Sequence, residues 1–355
     1  MKYKTNIGLI GALIFSASTH SAGINIDRDV EISGGLAGGS SFIQSPALTV
    51  IDPGVPGGKT QVPNAGEARQ INSYLNDFIV DMKTGRDRPN ELGAQLGVGT
   101  GNSAVNTLFF NPTQGGGVNN TGVQYGWFNY FLDKNSKIEF GHLITKIGYE
   151  SLYSYQNPHI LHSTMWRAQP TTYGGIRYSS EAGDISFYGE FTNGGGLRQA
   201  GAFGASGRAG NLDYVAQIYD EKDGIQIIEA TITMKSGNLP ISVNVNSISH
   251  DISLPGVDSK ATGLALYTKT DISGLDTPIR VEYVKDGTSG IYAYTNLPID
   301  KAWSITVTPT KNFDKKTYLR GEFSFINAEN EVFTDTNGSS QKTNMFLGLQ
   351  AGMKF

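Results

Sequence analysis

The 355-residue chain has no cysteine. This excludes a disulfide framework, a thiolate metal site and a lipid anchor on cysteine, so hydrogen bonds and burial must hold the fold together. Long apolar runs are missing too. Past residue 23 nothing approaches the roughly 20 apolar residues of a transmembrane helix. A chain without such runs can cross a bilayer only as a closed β-barrel. A basic surplus is absent as well: 28 Lys and Arg stand against 32 Asp and Glu, a formal charge of −4. That balance argues against a nucleic-acid partner. Histidine is scarce, at five residues, which leaves few candidates for metal or general-base chemistry. No Pro- or Ser-rich linker divides the sequence, and its composition does not shift along its length.

What is present favours strands. There are 45 Gly, 17 Tyr and 17 Phe. Glycine at that density opposes long helices, and aromatics favour sheets. The first residues, Met1-Lys2-Tyr3-Lys4, are basic. An apolar stretch from Ile7 to Phe15 and the small-residue run Ser16 to Ala22 follow. That order is the pattern of a secretory signal peptide. The expected division is a signal peptide over 1–22, cut after Ala22, and a mature barrel over 23–355. His20 is an unusual residue at the third place before such a cut.

Strict alternation recurs along the chain. Ile228, Ala230, Ile232 and Met234 oppose Glu229, Thr231, Thr233 and Lys235. Ile279, Val281 and Tyr283 oppose Arg280 and Glu282, and Leu319, Gly321, Phe323 and Phe325 oppose Arg320, Glu322 and Ser324. Period two places each set on one face of a sheet. The pattern gives about 16 strands, at roughly 30–42, 70–83, 91–99, 123–132, 137–145, 171–179, 184–192, 200–208, 212–220, 224–235, 239–250, 260–271, 277–285, 301–310, 316–327 and 341–355. The second strand slips phase in its middle, the mark of a bulge. Strands 91–99 and 200–208 are rich in glycine.

Alternation alone fits a membrane barrel and a soluble sandwich equally. Connection lengths separate them. Even-numbered connections are mostly short and rich in Gly, Asn and Asp, as at 133–136, 181–184, 209–211, 236–238 and 311–315. Most odd ones are long, at 43–69, 100–122, 146–170, 251–259, 286–300 and 328–340. Short turns at one end and long loops at the other are the outer-membrane arrangement. The fold class expected is all-β: a transmembrane antiparallel up-and-down β-barrel of about 16 strands, with 12–14 the alternative. In the last strand Met345, Leu347, Leu349, Ala351, Met353 and Phe355 share one face. Phe355, with Met353, is the candidate signal for the barrel assembly machinery.

The segment Gly141-His142-Leu143-Ile144-Thr145-Lys146-Ile147-Gly148-Tyr149-Glu150-Ser151 precedes Gln156-Asn157-Pro158 and the strand Thr172-Tyr173-Gly174-Gly175-Ile176-Arg177-Tyr178. Together with the early Asn76-Asp77-Phe78, these stretches resemble the OmpL-like β-barrel porins. His142 departs from that family's pattern, which has a basic residue after the glycine. The specific stretch covers about 40 residues. The resemblance implies an outer-membrane porin and names no solute.

A 16-strand barrel is too wide for its own side chains to fill, so it leaves an aqueous channel. The expected lumen lining is Glu139, Arg177, Tyr188, Glu190, Glu229, Lys235, Arg280, Glu282, Arg320 and Glu322. By analogy with general porins, the loop after strand 5 should fold inward and narrow the pore. Its candidate constriction residues are Tyr149, Glu150, His159, His162, Trp166 and Arg167, with Glu150 and Arg167 facing each other across the opening. Its aromatics could stack on a sugar-like solute. His159 and His162 lack a third ligand for zinc, so no metal and no cofactor are expected. No Gly-x-Ser-x-Gly elbow or phosphate loop is found. The function expected is passive diffusion of small hydrophilic solutes or ions across the outer membrane of a Gram-negative bacterium. Outer-membrane lipid and the assembly machinery are the expected partners, and a homotrimer is left open. An outer-membrane barrel enzyme and an exported β-sandwich binding protein are the rival readings.

Overall fold

The computed structural model describes residues 24–27, 30–44, 50–51, 59–60, 70–85, 89–100, 121–194, 198–236, 239–250, 260–287, 299–334 and 339–355. The expected signal peptide and most residues of the long loops at 43–69, 100–122, 251–259 and 286–300 lie outside them.

The chain forms one closed barrel of 16 antiparallel strands. They are β1 (Val30–Ile43), β2 (Gln70–Thr84), β3 (Leu92–Thr100), β4 (Thr121–Phe131), β5 (Ser136–Ile144), β6 (Thr172–Ala182), β7 (Ile185–Thr192) and β8 (Ala200–Ala209). Then come β9 (Leu212–Glu221), β10 (Ile225–Ser236), β11 (Leu239–His250), β12 (Lys260–Ile272), β13 (Leu275–Gly287), β14 (Asp300–Val307), β15 (Thr317–Ala328) and β16 (Thr343–Lys354). All 16 expected strands are present, their ends within three residues of the positions read from periodicity. β14 breaks at Thr308-Pro309 and resumes as Thr310–Asn312. Proline has no N–H to give the ladder, so a break there follows from its chemistry.

Each strand pairs with its sequence neighbours, and β1 pairs with β16 to close the cylinder. Closure runs from Ile43 opposite Phe346 to Gly35 opposite Lys354. One further pair completes it: Phe355 and Gly34 exchange backbone hydrogen bonds of 3.1 Å in both directions. The phase slip in β2 is a bulge. Ala37 faces Asp77 and Gly38 faces Leu75, which leaves Asn76 as the extra residue. β4 has a second bulge, at Gln124, between the Gly97–Tyr125 and Val98–Val123 pairs.

Turn chemistry follows the short-turn side. Ser273 and Gly274 link β12 to β13 at φ values of 56° and 78°. Two successive positive φ values define the hairpin turn whose twist matches the flanking strands. In the β14–β15 turn, Asp314 accepts hydrogen bonds from the Lys316 and Thr317 amides at 2.6 and 2.7 Å.

The barrel is inside-out relative to a soluble sandwich. Phe203, Ile228 and Leu349 are more than half exposed on its outer surface, while Arg280, Glu282, Arg320 and Glu322 are at most 3% exposed inside. Water would expel that outer face, whereas lipid accepts it. The outward set of β16 includes Leu347, Leu349, Ala351 and Met353, as its phase requires. The two glycine-rich strands are real for a packing reason. A side chain at Gly97 would run into the Tyr125 ring, and one at Gly204 into Tyr188. Glycine lets these inward tyrosines lie flat across the neighbouring strand.

Candidate functional site: a loop bonded inside the barrel

The connection from β5 to β6, residues 145–171, folds into the lumen. Its Ile147, Ile160, Leu161 and Met165 are almost fully buried. Two short 3₁₀ turns, Ser154–Gln156 and Met165–Ala168, shape it. Asn157 braces the two sides of its tip. The Asn157 Oδ1 accepts the Ser151 amide at 2.7 Å, and its Nδ2 donates to the Ser151 carbonyl at 2.7 Å. His162 Nε2 lies 2.8 Å from that same carbonyl. The His162 ring stacks on Trp166 at 4.1 Å between centroids.

Buried charges of the wall hold the loop. Arg280 of β13 places Nη1 2.7 Å from Glu150 Oε1 and Nε 3.1 Å from Glu282 Oε2. It also donates to the Leu161 carbonyl at 3.0 Å and the His162 carbonyl at 3.2 Å. Glu322 of β15 accepts the Ile160 and Leu161 amides at 2.5 and 3.0 Å. Glu282 accepts the Thr164 amide at 2.8 Å, and Glu150 accepts the Ser163 amide at 2.6 Å. Arg320 donates to the Asn157 and Ser154 carbonyls at 2.7 and 3.0 Å. On β2, Asp77 accepts from the Ser154 hydroxyl and from the Tyr155 amide. On β10, Glu229 accepts from Gln169 at 2.7 Å. An irregular segment buried at membrane depth must have its peptide groups satisfied, and these side chains do so.

A second charged group sits on β5–β7. Arg177 donates to Glu190 at 2.6 Å and to the Ile144 carbonyl at 2.7 Å, with Glu139 3.6 Å away. Lys137 pairs with Glu139 at 2.8 Å, and Tyr173 donates to Glu190. Lys146 reaches Ser179 at 3.2 Å and lies 4.9 Å over the Tyr188 ring. Tyr188 in turn donates to Gln217 at 3.1 Å.

The expected lumen residues Glu139, Arg177, Glu190, Glu229, Arg280, Glu282, Arg320 and Glu322 are all buried on the inner side. Lys235 instead sits half exposed near the end of β10, paired with Asp213. The loop residues are inside the barrel, but one expected pairing is not the one observed. The Glu150 carboxylate is taken by Arg280 of the wall rather than by Arg167, because β13 offers a fixed guanidinium directly beneath it. The loop tyrosines Tyr149, Tyr153 and Tyr155 are buried and in contact with other rings. Tyr149 packs on Tyr267 at 4.3 Å, and Tyr153 on Tyr155 at 5.9 Å. His159 faces Thr308 at 2.7 Å, away from the Ser151 carbonyl that His162 meets. Among the described residues no set of three or more His, Cys, Asp or Glu could hold a metal ion. Sequence reading missed Lys146 and Gln169 as lumen groups. It had only Asn76-Asp77-Phe78 as a hint of Asp77, whose inward phase reappears once the bulge at Asn76 is counted.

A 16-strand barrel with an apolar outside, a charged inside and a loop bonded within it defines a class: the loop-filled outer-membrane channels. The particular family follows from sequence. Residues 48–355 match the family described as "Putative beta-barrel porin-2, OmpL-like", and the chain belongs to that family. It is an outer-membrane porin. Solved structures share the fold at low identity. The outer-membrane channel DcaP of Acinetobacter baumannii has a TM-score of 0.60 at 14% identity, covering 92% of this chain and 97% of its own. OmpF of Salmonella typhi, in complex with daunomycin, gives 0.58 at 11%, with 92% and 97% covered. In-vitro folded OmpT of Vibrio cholerae, in a trimer form, gives 0.56 at 10%, with 92% and 99% covered. No curated protein matches the sequence.

Proposed function

We propose that this porin is a passive pathway for small hydrophilic solutes and ions, narrowed by residues 145–171, and that it has no catalytic role. One observation carries the reading: loop residues 150–169 bond to β2, β10, β12, β13 and β15 and to Thr308 at the break after β14. The passage then lies on the other side, between the loop and the β4–β9 wall, where Lys137, Glu139, Lys146, Arg177 and Tyr188 face inward. Tyr149, Glu150, His159, His162, Trp166 and Arg167 narrow the lumen by their bulk and fixed position. Charges fixed around a narrow aqueous path bias which ions pass. The test is planar-bilayer recording of refolded protein whose barrel is verified by heat-modifiable gel mobility. Stepwise conductance is expected, and Lys146→Glu should move the reversal potential towards cation preference. A folded barrel that stays silent overturns the pore. An unmoved reversal potential overturns the placement of the path.

The remaining assignments belong to the same reading. Phe355 and Met353 serve as the assembly signal, residues 1–22 direct export, and lipid surrounds the outer face. The protein works as a homotrimer, a reading supported by the trimer form of the Vibrio cholerae structure.

A further inference from the structure

A cavity of about 360 Å³ opens on the short-turn side of the barrel, between the ends of β12–β16 and loop residues 155–158. Five cationic side chains line it: Lys269, Lys315, Lys316, Arg320 and Lys354. Two carboxylates do so as well, Asp276 and Asp314. Their charges are not evenly matched. Asp276 answers Lys269 at 3.5 Å. The Asp314 carboxylate is committed to the Lys316 and Thr317 amides of its own turn. Arg320 is buried and in direct contact only with neutral oxygens, the Ser154 and Asn157 carbonyls and the Gln350 amide oxygen, while its charge acts at longer range on the Asp77 and Glu322 carboxylates. Among the described residues no carboxylate oxygen lies within 4.0 Å of Arg320, Lys315 or Lys354. Arg280, on the same wall, has two carboxylates within 3.1 Å. The contrast is local, since the chain as a whole is acidic.

Low-dielectric walls focus such a field into the cavity. A guanidinium and ammonium groups converging on one space suit an acceptor with several charged oxygens. We propose that this vestibule is a binding subsite for a small doubly charged oxyanion, of the phosphate or dicarboxylate type. It lies at the turn-side mouth, apart from the charged group on β5–β7. The proposal deepens the channel reading and rests on it for the solute's arrival.

Channels are recorded in potassium chloride with inorganic phosphate or succinate added to one chamber at a time. Turn-side phosphate should reduce the chloride current saturably, and loop-side phosphate should do so less. The double variant Lys315→Gln with Lys354→Gln should weaken the block about ten-fold, equivalent to roughly 1.4 kcal/mol. Arg320 stays untouched because it also anchors the loop. Lys235→Gln, on β10 and outside the cavity, should leave the block unchanged. Succinate blocking as well as phosphate assigns the site to oxyanions generally, and block by phosphate alone narrows it to phosphate-type ligands. Absence of block by either anion in a conducting channel overturns the subsite, as does a block indifferent to the double variant. Calorimetric titration of phosphate into the detergent-folded protein reads the same site without conduction, so a silent channel counts against the pore alone.

Discussion

At the scale of single residues the lumen is a set of buried ions with assigned partners. Arg280 holds two carboxylates, one of the wall and one of the loop, and two loop carbonyls. Arg280→Gln would strand Glu150 and Glu282 without their cation. Removing one partner of a buried pair typically costs about 3–5 kcal/mol. Denaturant unfolding in detergent should register a loss of that order. Adding Glu150→Gln should recover part of it, and a loss below roughly 1 kcal/mol would refute the clamp. A Gly97→Val exchange tests the inner wall differently. Its new side chain meets the Tyr125 ring, and overpacking of this kind costs about 1–3 kcal/mol. Outside the bilayer, two amide hydrogen bonds hold Asp314 below its usual value of 3.8. A carboxylate with a lowered folded-state value stabilises fully above the unfolded value and loses that contribution as pH falls through the folded one. Asp314→Asn should therefore lower stability slightly at neutral pH and flatten the acid limb below about pH 4, where variant and parent converge.

At the scale of elements, the strands were legible and the loop was half legible. Period two marks a strand because its two faces meet different solvents, and Glu229 between Ile228 and Ala230 shows it without any tertiary information. The bulge at Asn76 was legible for the same reason, as a break in phase. The loop's partners were not. The cation that the sequence offered opposite Glu150 was Arg167, in the same loop, whereas the true partner, Arg280, is 130 residues away. Only the closed barrel brings β13 beneath the loop. Likewise Lys269 and Lys354 look like ordinary strand-end lysines until β12 and β16 share a rim. An element-scale experiment follows. Replacing 151–164 with a short Gly-Ser link should keep the barrel, since no strand pairing involves that segment, and should raise single-channel conductance. An unchanged conductance would mean that the loop does not limit flow.

At the scale of the whole molecule, closure depends on one seam. β16 pairs with both β15 and β1, so its loss leaves two open edges in hydrocarbon, where unpaired peptide groups cost several kcal/mol each. Truncation before Thr343 should abolish the heat-modifiable form altogether. Phe355→Ala makes a finer cut. It removes the ring while the backbone exchange with Gly34 remains available. Assembled protein in the outer membrane should fall, while refolding in detergent stays normal. Equal losses in both settings would make Phe355 a structural residue rather than a recognition signal. The barrel class was readable from turn and loop lengths, because insertion from one side leaves short turns behind and lets long loops cross first.

The clamp also has a consequence in time. Arg320 reaches back 166 residues to the Ser154 carbonyl, and Glu322 reaches 162 residues to the Ile160 amide. Contacts between positions so distant in the chain form late, because the intervening segments must be ordered first. The loop is synthesised with the first half of the chain, yet its seat on β13–β15 exists only when the barrel is nearly complete. A newly formed barrel should therefore be wider before its loop is seated than after. Conductance recorded early in refolding should start high and decline as the loop settles.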